Sequence, residues 1–274
     1  MLMASWVNGI QSNTVSIQDR GFSFGDGLFE TMRIYKQHIP LIDRHFKRLN
    51  SSLQKLDIFF NTNEVKRKCQ KIANEHNDAT LKVIITRGQT ERGYGTPHNT
   101  RPNIAISLFD RSKELSASTQ DGIKIYVCQT QLARQPLLAG LKHLNRLEQV
   151  LAKQEVDKKG CIEGVILDTN SNVVEGVMSN LFMVVDSKLI TPSLLESGVK
   201  GVQRDFILDQ AGTIGVESTE KLFPINALKN ADEIFLCNSN YGIWPVVEFN
   251  DKGYQIGQIT RKLQKIISKE LFPQ

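Results

Sequence analysis

Two short apolar runs in the first 110 residues restrict the folds open to this chain more than any other feature. The runs, Leu81–Thr86 and Ile104–Phe109, have the length of buried strands, and a glycine-containing loop from Gly88 to Pro102 separates them. Apolar residues recur at helical spacing in residues 43–56 and 64–74. Strands and helices therefore alternate, which predicts an α+β unit.

A hairpin is expected ahead of the first of these helices. Phe29–Tyr35 and Ile39–Ile42 have strand-like composition and flank the polar pair Lys36 and Gln37. Asp43 then provides an N-cap for the helix. We expect residues 1–110 to form a small α/β domain.

Residues 111–120 are polar, contain few core residues and are predicted to connect two domains. Beyond them, residues 121–274 show many short strand patterns separated by turns. Helical patterns cover about 202–212 and an amphipathic run near the C-terminus. The second domain is therefore expected to be larger and rich in strands.

Composition excludes several classes of function. The chain has 274 residues, 40% hydrophobic and 23% charged, with a net charge of +5 whose basic residues are dispersed, so nucleic-acid binding is not expected. No apolar run is long enough to span a bilayer, and we expect a cytoplasmic protein that does not bind membranes. Four widely separated cysteines and five histidines show no ligand spacing, which predicts neither disulfides nor a metal site.

One lysine lies where a reactive amine is plausible. Lys142 follows the apolar segment around Gly140 and precedes Asn145, which is predicted to cap a helix with Leu147, Val150 and Leu151 on one face. An amine held among leucines is partly desolvated, which favours the neutral form and suits it to carbonyl chemistry. Most lysines are solvated surface charges, so this argument needs support from elsewhere in the sequence.

That support is a resemblance to the fold-type IV pyridoxal-phosphate enzymes, the class IV aminotransferase family. It is carried by blocks spread along nearly the whole chain: Phe24–Gly27 with Phe29–Arg33, His45–Leu49, Thr86–Gly88 with Arg92–Tyr94, Lys142–Gln149, Val174–Gly176 with Ser179–Asn180, Gly201–Arg204, and Cys237–Asn238. Their order and coverage make coincidence an unsatisfactory explanation.

The resemblance implies the family's fold, cofactor and assembly. The fold is a two-domain α+β arrangement, with a small α/β domain and a larger strand-rich domain that resembles a barrel. The cofactor is pyridoxal 5′-phosphate, and the assembly is a homodimer. In the resemblance Lys142 is the lysine that binds the cofactor covalently and then serves as the acid–base catalyst.

The remaining cofactor residues are also assigned by resemblance. Glu175 matches the glutamate that pairs with the cofactor's ring nitrogen, where a carboxylate favours the protonated ring. Arg48 matches a phosphate-binding arginine whose geometry suits phosphate oxygens. Two further phosphate-proximal turns are expected, one at the start of a helix. Their residues are Val202 and Gln203, and Asn238 and Ser239.

Arg92 and Tyr94 resemble positions that bind the substrate carboxylate, on a loop that in this family often reaches the neighbouring subunit. Thr31 stands where the lyases of the family carry a threonine, and it is a candidate to assist the leaving group. Each has a plain structural alternative, since loop arginines are commonly exposed and a β-branched threonine suits a strand.

The residues in these blocks resemble those of the family's lyases more closely than those of its aminotransferases. It implies that an anionic small molecule, 4-amino-4-deoxychorismate, loses pyruvate to form 4-aminobenzoate for folate synthesis. The alternative is a D-amino-acid or branched-chain aminotransferase, because the cofactor residues are shared. A third reading is a protein that binds the cofactor without turnover.

Overall fold

The computed structural model describes residues 1–96, 100–111 and 117–272. The chain divides into two units, Met1–Ser112 with Leu141–Asn145, and Lys113–Gly140 with Arg146–Gln274. The first unit thus takes in five residues that the sequence alone had placed in the second domain. Residues 112–116 of the expected connector lie outside the described residues.

The first unit is built on a five-stranded sheet in which every neighbouring pair is antiparallel. The strand order is β2-β1-β5-β4-β3. The strands are β1 Leu2–Val7, β2 Ile10–Gln11, β3 Gly27–Tyr35, β4 Asp78–Thr86 and β5 Asn103–Asp110. Both predicted apolar runs are confirmed as strands, within β4 and β5.

Three helices accompany this sheet: α1 Arg20–Phe24, α2 Ile42–Lys55 and α3 Asn63–Ala73. Helix α2 packs against β3, and its buried Phe46, Leu49 and Leu53 recur at the predicted spacing. The predicted N-cap at Asp43 was wrong, because the N-cap is Leu41 and the helix begins at Ile42, two residues earlier than that prediction implies. Asp43 instead lies in the first turn, where its charge suits the helix dipole.

The predicted hairpin is only partly correct. Lys36 and Gln37 have positive φ angles of 47° and 66° and form the turn, closed by a single bridge between Tyr35 and His38. Residues 39–42 do not form a strand. Pro40 has no N–H for a strand ladder, and Ile42 is already helical.

Successive side chains of β3 alternate between the two faces of the sheet. Leu28, Glu30, Met32 and Ile34 are buried, whereas the residues between them are only partly buried. Glu30 bonds side chains of α2, so the buried positions face the helices. The opposite face of β3 therefore presents the odd-numbered positions.

The second unit contains a nine-stranded mixed sheet. Its order is β11-β10-β9-β12-β13-β6-β7-β8, with β14 paired to β13. The strands are β6 Ile123–Leu132, β7 Glu163–Asp168, β8 Val173–Gly176, β9 Asn180–Val185, β10 Lys188–Pro192, β11 Ser218–Lys221, β12 Glu233–Asn238, β13 Gly242–Phe249 and β14 Lys252–Gly253. The predicted richness in strands is confirmed.

The helices of this unit are α4 Ala117–Asp121, α5 Leu147–Lys158, α6 Val202–Thr213, α7 Asn226–Lys229 and α8 Gln258–Leu271. Aromatic and branched side chains of β12 and β13, including Trp244 and Phe249, lie in its main core. A smaller core joins α5 to β6 and β7 through Ala152 and Val156. Among the described residues, none of the helices is both long enough and apolar enough to cross a membrane.

The start of α5 differs from the sequence prediction. Asn145 does not cap this helix, which begins at Leu147 after the N-cap residue Arg146, whose side chain makes no capping hydrogen bond. The predicted apolar face is also wrong, because the side chain of Leu147 is 71% exposed and that of Val150 is 50% exposed. Burial of Ala152 and Val156 decides the orientation of the helix instead.

Candidate active site

The segment Leu141–Asn145 is fixed by backbone hydrogen bonds to the start of β3. The Phe29 N–H donates to the Lys142 carbonyl oxygen at 2.9 Å, and the Leu144 N–H donates to the Gly27 carbonyl oxygen at 3.0 Å. These bonds have the pattern of a strand pair, in which both partners are held in register. The position of the Lys142 backbone is therefore set by β3.

The amine of Lys142 lies over the half-buried face of β3. Its Nζ is 4.4 Å from the centroid of the Phe29 ring, whose face attracts a cation. Thr31 is two residues further along the strand and so belongs to the same face as Phe29. The structure thus brings two sequence-predicted residues, Lys142 and Thr31, to one face of the sheet.

A buried carboxylate lies on the other face, with two partners from α2. Glu30 is 1% exposed. Nδ1 of His45 lies 2.7 Å from Glu30 Oε2, and Arg48 donates from Nε to Oε1 at 2.8 Å and from Nη2 to Oε2. Two of the three guanidinium nitrogens of Arg48 are therefore engaged with Glu30. The predicted phosphate contact of Arg48 stays a prediction.

Burial and charge act in opposite directions on this cluster. Burial alone would raise the pKa of Glu30, but the charge of Arg48 and the hydrogen bond from His45 outweigh it and bring the pKa to about 2. Burial lowers the pKa of His45, and nearby positive charges, including that of Lys142, act in the same direction. At neutral pH the cluster is therefore an ionised Glu30–Arg48 pair with a neutral imidazole.

The loop with Arg92 and Tyr94 is held by one buried arginine. Arg20 donates from Nη1 to the carbonyl oxygens of Gly93 and Gly95 at 3.0 and 3.1 Å, and from Nη2 to that of Tyr94 at 3.1 Å. Arg92 is exposed, and the side chain of Tyr94 is 83% exposed. The loop backbone is thus tethered while both predicted substrate-binding side chains remain accessible.

Asp26 anchors that arginine. Its carboxylate accepts from Nε of Arg20 at 2.7 Å and from Nε of Arg87 at 2.8 Å. Arg87 continues to the carbonyl oxygens of Leu56 and Asp57 at 2.6 and 3.0 Å. Burial raises the pKa of Asp26, but the hydrogen bonds and charges of the two arginines outweigh this and lower it. A single carboxylate therefore fixes two buried cations.

In the second unit, Glu175 occupies β8 and is 4% exposed. Its Oε2 accepts from the Val199 N–H at 2.8 Å, and the side-chain amide of Gln149 donates to Oε1 at 3.4 Å. Gly198 approaches closely with a φ of 83°, and a Cβ there would lie 2.6 Å from Val174 and 3.2 Å from Oε2. A side chain at position 198 would displace the carboxylate.

The start of α6 carries the predicted turn of Val202 and Gln203. Gly201 is the N-cap and makes no side-chain hydrogen bond, which leaves the first N–H groups of the helix for another acceptor. Gln203 is 1% exposed, and neither atom of its amide has a hydrogen-bond partner among the described residues. A Cβ at Gly201 would lie 1.9 Å from Asn180 Oδ1, so this approach requires glycine.

The second predicted turn follows β12. Asn238 Oδ1 accepts from the N–H groups of Asn240 and Tyr241 at 2.9 and 3.1 Å, and Nδ2 donates to the Met178 carbonyl oxygen at 3.0 Å. The side chain of Asn238 thus shapes the turn itself. Ser239 is partly buried in the same turn. Cofactor contacts from these two residues stay predictions.

Sequence reasoning missed two residues near these positions. Glu163 is fully buried and accepts from the N–H groups of Val177 and Met178 and from the Ser179 hydroxyl, holding the turn that follows Glu175. Lys82 lies on β4 with its Nζ 5.1 Å from the Phe29 ring centroid. The available signal in both cases was a charged residue at the edge of, or inside, an apolar run.

The structure therefore divides the predicted site residues into two sets. Thr31, Arg48, Arg92, Tyr94 and Lys142 belong to the first unit, and Glu175, Val202, Gln203, Asn238 and Ser239 belong to the second. Within the described part of the chain, no group of three or more His, Cys, Asp or Glu side chains is arranged to hold a metal.

Comparisons with known proteins identify relatives along almost the whole chain. An aminodeoxychorismate lyase of Vibrio harveyi is 37% identical over 94% of this chain and 97% of its own length. The crystal structure of 4-amino-4-deoxychorismate lyase from Pseudomonas aeruginosa superposes with a TM-score of 0.94 at 41% identity, covering 97% of this chain and 99% of that one.

A third relative carries a different name. A putative branched-chain-amino-acid aminotransferase of Methanocaldococcus jannaschii is 32% identical over 92% of this chain and 89% of its own length. The sequence model of amino-transferase class IV matches residues 27–249. Most of both units falls within that range, and the chain therefore belongs to the class IV aminotransferase family.

Proposed function

We propose that this chain is a pyridoxal-phosphate-dependent lyase that converts 4-amino-4-deoxychorismate into 4-aminobenzoate and pyruvate for folate synthesis. The observation that carries the proposal is its similarity to two lyases of that name along almost the whole of both chains. The proposal is supported by the contact of Lys142 Nζ with the ring of Phe29, because Thr31 is two residues further along the same strand.

The residues present fit the cofactor. At the start of α6, a buried Gln203 amide lacks a partner among the described residues and the helix N-terminus has no side-chain cap, as expected of a site for phosphate. Glu175 offers a buried carboxylate, and Lys142 offers a partly buried amine. An amine, a carboxylate and an anion site are the groups that pyridoxal phosphate needs from a protein.

Each of these residues has a distinct role in the proposal. Lys142 binds the cofactor covalently, and Glu175 pairs with its ring nitrogen. The phosphate is bound by Arg48 and by the residues of two turns, namely Val202 and Gln203, and Asn238 and Ser239. When bound, the cofactor withdraws electrons from the substrate carbon that bears the amine.

The chain's own groups then move the protons. The amine of Lys142 removes the proton from that carbon, and the oxygen of the enolpyruvyl group leaves from the neighbouring ring carbon. Thr31, on the same strand face, or the protonated Lys142 supplies the proton that stabilises the leaving oxygen. Aromatisation of the ring drives the elimination. Arg92 and Tyr94 bind a carboxylate of the substrate.

The decisive experiment compares two reactions of one preparation. The kcat/KM for 4-aminobenzoate formation from 4-amino-4-deoxychorismate is measured beside that for keto-acid formation from D-alanine and L-leucine, because discrimination between substrates is the ratio of these constants. We expect the elimination to be much faster. A preparation in which amino transfer is faster would contradict the proposal.

The second candidate is an aminotransferase. The 32% identical branched-chain relative favours it, since residues that hold the cofactor serve both reactions. Amino transfer also requires a second half-reaction with a keto acid, and the same measurement detects it. A preparation that binds the cofactor but catalyses neither reaction would support a binding protein without turnover.

A homodimer in the cytoplasm completes the proposal. The loop of Arg92 is exposed, as a loop that serves a neighbouring subunit would be. All four cysteines are free, which suits a reducing compartment. Light scattering of the active protein should give twice the mass of one chain, and an active monomer would contradict the dimer.

A further inference from the structure

Most buried cations of the first unit have a carboxylate partner. Five arginines whose side chains are at most 15% exposed illustrate this: Arg20 and Arg87 pair with Asp26, Arg33 and Arg111 with Asp78, and Arg48 with Glu30. Such pairing is the usual means of offsetting the desolvation of a buried charge. Each of these five cations therefore has a carboxylate of the protein in contact, with three carboxylates shared among them.

Lys82 departs from that pattern. It lies in the middle of β4, is partly buried, and has no carboxylate within ion-pair distance among the described residues. Its Nζ lies 5.1 Å from the centroid of the Phe29 ring. An aromatic face attracts an ammonium group only weakly compared with a carboxylate. The charge of Lys82 is thus left for an anion from outside the chain.

The position of Lys82 places that charge near the reactive amine. Lys82 is directly opposite Thr31 across the β3–β4 pair, and directly opposed residues point to the same face of a sheet. The same Phe29 ring contacts Nζ of Lys142 at 4.4 Å. Lys82, Thr31 and Lys142 therefore share the sheet face that does not pack on α2.

From this arrangement we infer that Lys82 binds a carboxylate of the substrate. The inference rests on the proposed function, in which the substrate carries two carboxylates, one on the ring and one on the enolpyruvyl group. Arg92 is assigned to only one of them. A second cation is needed so that both are neutralised on leaving water.

The test replaces Lys82 without changing its bulk. Lys82→Met keeps a long side chain against Phe29 but removes the charge, and Lys82→Arg keeps the charge. Lys68→Met is a matched control, because Lys68 is also partly buried and lies 5.1 Å from an aromatic ring, that of Trp6. A thermal unfolding curve of each variant serves to check that it is folded.

We expect Lys82→Met to raise KM for 4-amino-4-deoxychorismate roughly 10- to 100-fold, as expected for a hydrogen bond to a charged group, with a much smaller change in kcat. Lys82→Arg should recover most of the affinity. Lys68→Met should behave as the wild type. Equal KM values for Lys82→Met and Lys68→Met would overturn the assignment.

Binding of the two products identifies the carboxylate and does not depend on turnover. Calorimetry measures 4-aminobenzoate, which keeps the ring carboxylate, and pyruvate, which keeps the other. Weakened binding of either product by Lys82→Met alone supports the inference and names the carboxylate, and unchanged binding of both overturns it. Absence of 4-aminobenzoate formation by the wild type would instead count against the proposed function, with the calorimetry still deciding the role of Lys82.

Discussion

Arg20 donates a hydrogen bond from Nη2 to the carbonyl oxygen of Tyr94, at 3.1 Å. Nη1 of the same guanidinium reaches the carbonyl oxygens of Gly93 and Gly95, so three successive residues of the loop are held by one side chain. Only a planar group with several donors can make these bonds together. The conformation of the loop that carries Arg92 therefore depends on Arg20.

Replacing Arg20 by lysine should loosen this loop. The lysine keeps a positive charge beside Asp26, but it cannot donate hydrogen bonds to three carbonyl oxygens at once. The peptide bond after Arg92 should therefore become more accessible. We expect trypsin to cleave there about tenfold faster, which mass spectrometry of the fragments measures. Arg92 is the only lysine or arginine between Arg87 and Arg101, so the fragments are unambiguous.

The matched control is Arg87→Lys. Arg87 binds the same carboxylate but continues to Leu56 and Asp57, away from this loop. Both variants should lose stability, and only Arg20→Lys should speed cleavage after Arg92 and raise KM. Equal cleavage rates in the two variants would mean that the loop does not depend on Arg20.

Local patterns predicted much of the fold correctly. The apolar runs at 81–86 and 104–109 became strands because their alternating residues fill a core, as Leu81, Val83 and Ile85 show by their complete burial. The short elements α1 and β11 were not predicted. Helix α1 has only five residues, and β11 consists of four exposed polar residues, so neither carries a periodic apolar signal.

Contacts between distant residues account for the remaining differences. Asn145 resembled a helix cap, but its side-chain amide donates to the Gly25 carbonyl oxygen at 3.2 Å, a partner 120 residues away. The pairing of residues 141–145 with β3 has the same origin. Composition cannot show that such a segment belongs to an earlier unit of the chain.

The site residues were reached through resemblance more than through pattern. Nothing in the local sequence shows that Glu30 holds both His45 and Arg48, at separations of 15 and 18 residues. The sequence did not indicate a role for Lys82 for a related reason, because a lysine within an apolar run indicates only a half-buried strand. Its importance depends on the ring that it shares with Lys142.

Lys142→Ala should abolish covalent attachment of the cofactor. The backbone bonds to β3 do not involve the side chain, so the variant should fold. Borohydride reduction of wild-type protein, followed by peptide mapping, should place the reduced cofactor on residue 142, and Lys142→Ala should show no label. Lys68→Met should label as the wild type does. A label on another lysine would remove the assignment.

Glu175→Gln should keep the bound cofactor and lose most of the activity. The new side chain can still accept from the Val199 N–H, but it carries no charge to favour a protonated ring nitrogen. We expect kcat to fall about 100-fold or more, where each tenfold corresponds to ~1.4 kcal/mol of barrier. Glu163→Gln is the control, since it changes a buried carboxylate that holds a turn, and it should lower stability more than kcat. Turnover near the wild-type rate in Glu175→Gln would exclude the role.

The Glu30–Arg48 pair should make the free energy of unfolding depend on pH in the acidic range. The pKa of Glu30 is about 2 in the folded chain against 4.5 in the unfolded one, so unfolded chains bind more protons between these values. Stability from Glu30 is therefore fully present above about pH 4.5 and is lost as pH falls toward 2, about 3 kcal/mol in all.

Urea unfolding of the wild type and of Glu30→Gln between ~pH 5.5 and ~pH 3.5 measures this dependence. The variant should be less stable near neutral pH, because Arg48 loses its charged partner, and its stability should fall less steeply as pH decreases. Asp43→Asn, which removes a carboxylate whose side chain is 85% exposed and pairs with Lys66, should keep the wild-type slope. If wild type and Glu30→Gln lose stability in parallel over this range, Glu30 is not the group whose protonation weakens the folded chain.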